Sequence, residues 1–317
     1  MLGDLLAGLE ARPPQSVANM TVIPLVSPAG EVAVGTMGDI YLEQDPAYNR
    51  LVLGTESEYP TILPLGYTLI TRERAQDRAV ATKSIIPGRG SREVPAYCVQ
   101  SSQCGHMARA NRERQDARML PLGVRRLAFR HRESQDFRAL WEGLAEHNRR
   151  HGVAGNFLSS FFEHFRRQLH EFVAEFELVP GQRGAVVLIN DRVEGVEVAP
   201  NPGAFAAQWE PLIRDCYGAE AVGRQAGIDA IDESQLLGEA ETFEELLTRL
   251  EELDQKEREF ADRKVAGILG QDETGRERQR EGPLRVLDVE TADYEGQAVR
   301  ENGSIVDLTL LRRGRPL

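Results

Sequence analysis

The 317-residue sequence predicts an α+β fold, mainly antiparallel sheet, with a central helical segment over 133–178 and further helices over 202–221 and 242–262. Three observations carry this. Apolar runs in the first third are short and spaced by Gly and Pro, as in hairpins rather than alternating βα units. The middle repeats its apolar residues at i, i+3, i+4 and i+7. Strand-like runs return after each later helix.

Taken in order, MLGDLLAGLEARPPQ reads as a short amphipathic helix over 1–16, stopped by Pro13-Pro14. Asp4 and Glu10 sit where a signal peptide would be basic. Strands are expected at 20–26 (MTVIPLV), 32–35, 51–53, 61–65, 67–71, 79–86 and 93–99, with Pro87-Gly88-Arg89-Gly90 as a turn. Residues 119–130 read as a strand in which Arg125-Arg126 break the alternation and mark a bulge. Ser134 can cap a helix carrying Phe137, Leu140, Trp141 and Leu144, and Asn156 the next, with five phenylalanines between 158 and 176 on its apolar face. A strand pair follows at 184–189 and 193–198 around Asn190-Asp191-Arg192. Asn201-Pro202 opens a helix that buries Cys216, and Thr242-Phe-Glu-Glu245 is a capping box for the last one. Residues 270–283 lack an apolar anchor and read as a mobile loop before strands near 285–290 and 304–311. A closing strand that returns to an existing sheet favours one domain over 17–313: β-rich to 132, helical over 133–178, α/β over 179–313.

Three cysteines argue against a disulfide framework, and no window approaches the roughly 18–20 apolar residues of a membrane span. The cytoplasm is the expected compartment. No phosphate-loop, dinucleotide or nucleophile-elbow motif occurs, so no cofactor is expected. Cys98, Cys104 and His106 lack a known zinc spacing, though a Cys–His pair could activate a thiolate. His164 and His170, six apart, fall on opposite faces of a helix. The carboxylate pairs Glu194/Glu197 and Asp288/Glu290 read as solvated faces.

Charge is distributed unevenly. The net charge is −12, yet residues 72–132 hold fourteen Lys/Arg against five acids, a local +9 that leaves −21 elsewhere. Such separation focuses a positive field if the cations converge; if they do not, they are outward strand residues neutralised by acidic neighbours. Within the segment, Gln76, Arg78, Lys83 and Arg89 surround a strand and a Pro-Gly turn, where guanidinium groups and turn amides could grip an anion. Few aromatics interleave them, which argues for a small anionic ligand and against nucleic acid.

The stretch Ala75-Gln76-Asp77-Arg78, Ser84-Ile85-Ile86-Pro87 and Val94-Pro95-Ala96-Tyr97-Cys98-Val99-Gln100 resembles the bacterial ARPP family. Gln182–Asn190, then Gly195, Phe205, Trp209 and Leu212, and finally Ile305–Leu308, resemble it in the same order. Two departures stand out: Gln100 replaces the family's Glu, and Ser102-Gln103-Cys104 replaces its Gly-Arg-Trp-like tail. The resemblance implies one continuous module in the neighbourhood of ADP-ribose or phosphorylated-nucleotide processing, with no activity to carry over. A non-catalytic binding module for a small phosphorylated ligand is the first expectation. The alternatives are a hydrolase of such compounds using Cys104 and His106, and an assembly protein using helix 242–262.

Overall fold

The computed structural model describes residues 8–27, 32–47, 49–70, 77–99, 116–134, 137–224, 243–269, 271 and 274–314. Two antiparallel sheets organise the chain. The larger has nine strands: β1 (Glu10–Ala11), β2 (Gln15–Val17), β3 (Met20–Val26), β12 (Gln182–Ile189), β13 (Arg192–Val198), β14 (Thr274–Glu281), β15 (Leu284–Glu290), β16 (Tyr294–Glu301) and β17 (Ser304–Arg312). Their spatial order is β1-β3-β12-β13-β17-β16-β15-β14, with β2 on β3. The smaller joins β4 (Ile40–Ala47), β5 (Arg50–Thr55), β7 (Tyr67–Ile70), β8 (Arg78–Val80), β10 (Ser91–Cys98) and β11 (Asp116–Met119) in the order β11-β7-β8-β10-β5-β4. A two-stranded ribbon pairs β6 (Thr61–Leu63) with β9 (Ser84–Ile86). The described elements bear out the α+β fold.

The alternation of side chains along β12 explains why its whole run is apolar. Ala185, Val187 and Ile189 face Phe205, Trp209, Leu212, Ile213 and Tyr217. Val186 and Leu188 share the other face with Val196, Leu308 and Leu310 and cluster with two helical residues, Ala261 and Ile268. Both faces are covered, and every residue of the strand is buried. The turns at Asn190-Asp191 and Asn302-Gly303 take positive φ at both central residues, the geometry that matches strand twist in tight hairpins.

Five helices frame the region between the sheets: α1 (Leu122–Arg130), α2 (Phe137–Arg150), α3 (Leu158–His164), α4 (Arg166–Ala174) and α5 (Pro202–Pro211). Asn201 caps α5 as its sequence predicts, its Oδ1 accepting from the Ala204 amide at 2.8 Å. A π-helical turn, Leu212–Gly218, continues into α6 (Ala219–Arg224), and the 27-residue α7 spans Phe243–Leu269. Phe161, Phe162 and Leu169 pack with Tyr97, Leu140 and Val124 against the smaller sheet. Phe172 and Phe176 join the core of the larger one. Those phenylalanines are core; the helices here are two short ones that meet at Phe165 rather than one, and Phe176 follows the end of the second.

Four expectations are corrected. Residues 10–11 and 15–17 are strands, so the described part of 1–16 is not helical. The segment 119–130 is a strand only to Met119. Pro121, which cannot donate to a ladder, ends it and starts α1, so Arg125-Arg126 lie on a helix and mark no bulge. Residues 274–281 form β14 instead of a mobile loop, held by its pairing to β15. Glu194, Glu197 and Asp288 are buried rather than solvated, while Glu290 is exposed.

Among the described residues no helix is long and apolar enough to cross a membrane.

Candidate anion-binding cavity

Where α1, α2 and α6 meet the ends of β13 and β17, the structure forms a half-open cavity of about 690 Å³. Its position follows from strand register. Gly195 pairs with Leu311, so Arg192 and Glu194 of β13 emerge at the same sheet end as Arg312, Arg313 and Gly314. Arg126 and Arg130, four apart on α1, line another side, as expected for neighbours on one helical face. Arg150 and His147 come from the end of α2, with His151 just beyond it. Glu220, Gly223 and Arg224 come from α6. Close approach is possible because Gly223 has no side chain: a Cβ there would lie 1.8 Å from the His151 ring.

Seven guanidinium groups therefore meet in one concavity. Their counter-charges are unevenly supplied. Glu194, almost fully buried, pairs with Arg126 and, at 2.8 Å, with Arg224. Glu220 also holds Arg224 at 2.8 Å. Arg130 reaches Glu295 at 2.7 Å, Arg150 reaches Glu146 at 2.6 Å and Arg313 reaches Glu290 at 3.0 Å. Arg192 and Arg312 have no carboxylate within ion-pair distance among the described residues. Seven arginines against five carboxylates leave two cations in excess. A low-dielectric wall makes such an excess attractive to anions.

Both imidazoles are held toward their neutral forms. Burial pushes His147 down to about 3, helped by His151 and Arg150, and its Nε2 is buried without a hydrogen-bond partner. His151 is lowered by burial and by Arg150 and Arg224, against the opposing pull of Glu220. The two rings meet edge to face at 4.6 Å, and His147 packs on Phe161 at 4.5 Å. For Arg224, burial acts to lower its affinity for the proton, yet Glu220 and Glu194 outweigh it and hold the group above its usual range. Among the described residues lining the cavity there is no Phe, Tyr or Trp.

The sequence-predicted residues lie elsewhere. Gln76, Cys104 and His106 fall outside the described residues. Arg78 is buried on β8. Lys83 is buried in an ion pair with Asp307 at 2.6 Å, and its amide donates to Gln297 Oε1 at 2.5 Å. Arg89 occupies an exposed turn with φ of 50° and pairs with Glu58. Cys98 is buried, and its carbonyl accepts from Trp141 Nε1 at 2.8 Å. Cys216 is buried as expected, its thiol pushed up to about 12 by burial despite Arg125 at 3.6 Å. His164 and His170 border a second groove beside Phe162. Among the described residues no cluster of His, Cys, Asp or Glu is placed to hold a metal ion.

Of the fourteen cations in the basic segment, Arg126 and Arg130 enter the cavity. The other five arginines come from 150, 192, 224, 312 and 313, singly or as one pair. No local density betrays them in the sequence, and only the fold collects them.

A family model for the ARG and Rhodanese-Phosphatase-superfamily-associated Protein domain, ARPP-1, matches residues 8–310. The chain belongs to this family. No curated protein and no solved structure matches it. The ARPP-1 match runs from β1 into β17, so it takes in both sheets and most of the cavity wall, stopping short of Arg312 and Arg313.

Proposed function

We propose that this ARPP-1 chain is a non-catalytic binding module for a small phosphorylated ligand of the nucleotide or ADP-ribose kind, held in the cavity between α1, α2, α6 and the ends of β13 and β17. The supporting observation is the convergence there of seven guanidinium groups with a two-charge excess over their carboxylates. Arginine presents a planar fork that matches phosphate oxygens in bidentate fashion. The cavity, at about 690 Å³, falls within the roughly 300–1,000 Å³ of small-molecule sites and leaves room for an organic body beside the phosphate.

The competing seat is the turn region of Gln76, Arg78, Lys83 and Arg89. Thermal shift and calorimetry with ADP-ribose, ADP and AMP separate the two. A ligand at about a hundred times its dissociation constant adds roughly 2.7 kcal/mol. Wild type and Arg89→Ala are expected to bind equally, whereas Arg192→Ala/Arg312→Ala loses at least about tenfold in affinity, the worth of one charge-assisted contact of about 1.5 kcal/mol. The reverse pattern would move the site to the turn. No binding of any phosphorylated compound would end this reading.

A further inference from the structure

The cavity walls differ in chemistry, and that difference bears on the body of the ligand. One wall, at the sheet end, carries Arg192 and Arg312, the two guanidinium groups without carboxylate partners. Two excess cations balance one phosphomonoester, which carries about −1.5 to −2 near neutral pH. A chain of phosphates would bring more charge than this wall answers.

The opposite wall is helical. There Glu220 spends Oε1 on Arg224, accepting from Nε at 2.9 Å, while its Oε2 has no hydrogen-bond partner among the described residues. A carboxylate oxygen is an acceptor only, and the half-buried imidazole of His151 lies on the same wall. Acceptors facing an anion-binding wall call for a ligand body rich in hydroxyl donors. A base would want an open π-face to stack on; the described lining residues include no Phe, Tyr or Trp, the His151 ring is already packed against His147, Phe161 and Phe165, and five of the seven guanidinium groups are engaged by carboxylates. Leu127 is the apolar side chain of length there.

Resting on the anion-site reading above, we infer that the cavity recognises the monophosphate of a polyhydroxylated, sugar-like body, with phosphate on Arg192 and Arg312 and a hydroxyl donated to Glu220. Any base attached to such a ligand stays outside.

Calorimetry on the full chain tests this with inorganic phosphate, ribose 5-phosphate and AMP, on wild type and Glu220→Gln. Ribose 5-phosphate should bind at least tenfold more tightly than inorganic phosphate and within about threefold of AMP. In Glu220→Gln the advantage of ribose 5-phosphate over inorganic phosphate should shrink by tenfold or more, while inorganic phosphate, which gains from the removed negative charge, binds at least as tightly as in wild type, which also shows that the variant is folded. Equal affinities for phosphate and ribose 5-phosphate overturn the inference, as does AMP binding tenfold tighter than ribose 5-phosphate. A sugar advantage untouched by Glu220→Gln removes the carboxylate's role and with it the proposal. If none of the three probes binds wild type, the anion-site reading itself falls.

Discussion

Single residues explain why the cavity exists and how it responds to protons. His147 is buried among Phe161 and His151 and stays neutral in the fold because desolvation opposes its charge. Its folded value, about 3, lies below the unfolded value near 6.5, so between these limits the unfolded chain holds the extra proton. The stability it contributes is complete above about pH 6.5 and declines as pH falls toward 3, by up to about 1.4 kcal/mol per pH unit. His151, also lowered, acts in the same direction. The melting temperature should therefore drop between pH 7 and pH 5, and less steeply in His147→Phe, which keeps a ring against Phe161. Equal slopes in the two proteins would remove His147 from the account. Nothing in the sequence marks this histidine: it sits in an ordinary helix, and its partners arrive from 151 and 161.

At the scale of elements, periodicity was a good guide wherever packing and pattern agree. Met20–Val26, the Asn190-Asp191 hairpin, the Asn201 cap and the start of α7 stand where their residues place them. It misled where tertiary contacts decide. β14 is exposed along most of its length and almost wholly charged or polar, and its strand form comes from β15. α1 mimics a strand because Arg125 and Arg126 occupy buried helical positions that a pattern search scores as polar breaks. α7 illustrates both effects. Ala261 and Ile268 are buried on the large sheet with Phe260 and Val265 beside them, while Leu247 is 44% exposed. Ala261→Glu should cost at least about 3 kcal/mol by burying an unpaired charge, whereas Leu247→Glu should stay within about 0.5 kcal/mol. Denaturant melts of the two variants distinguish them, and an equally large loss for Leu247→Glu would show that a partner covers that half of the helix.

Across the whole molecule, the uneven charge finds its meaning in long-range pairing. Lys83 meets Asp307, Arg118 meets Asp215, Arg125 meets Glu197, Arg126 meets Glu194, Arg130 meets Glu295 and Arg132 meets Asp288. The basic stretch is thus stitched to acids that follow it by 68 residues or more, and the composition could reveal the imbalance but not its partners. Arg125 is the extreme case: fully buried, it reaches Glu197 at 2.5 Å and the Leu65 carbonyl at 2.9 Å, while Glu197 also accepts from Tyr217 at 2.9 Å and Thr309 at 2.6 Å. Glu197→Ala strands the guanidinium without its counter-ion and should cost about 3–5 kcal/mol, whereas Glu197→Leu combined with Arg125→Met should recover much of that in the same melt. A single variant as stable as wild type would show the pair to be idle. The position of β17 carries one more consequence. Flanked by β13 and β16, it is an interior strand, so Arg312 hangs from backbone that cannot shift without parting the sheet. Its backbone is in place before any guest arrives, so the ordering entropy lost on contact is confined to the side chain.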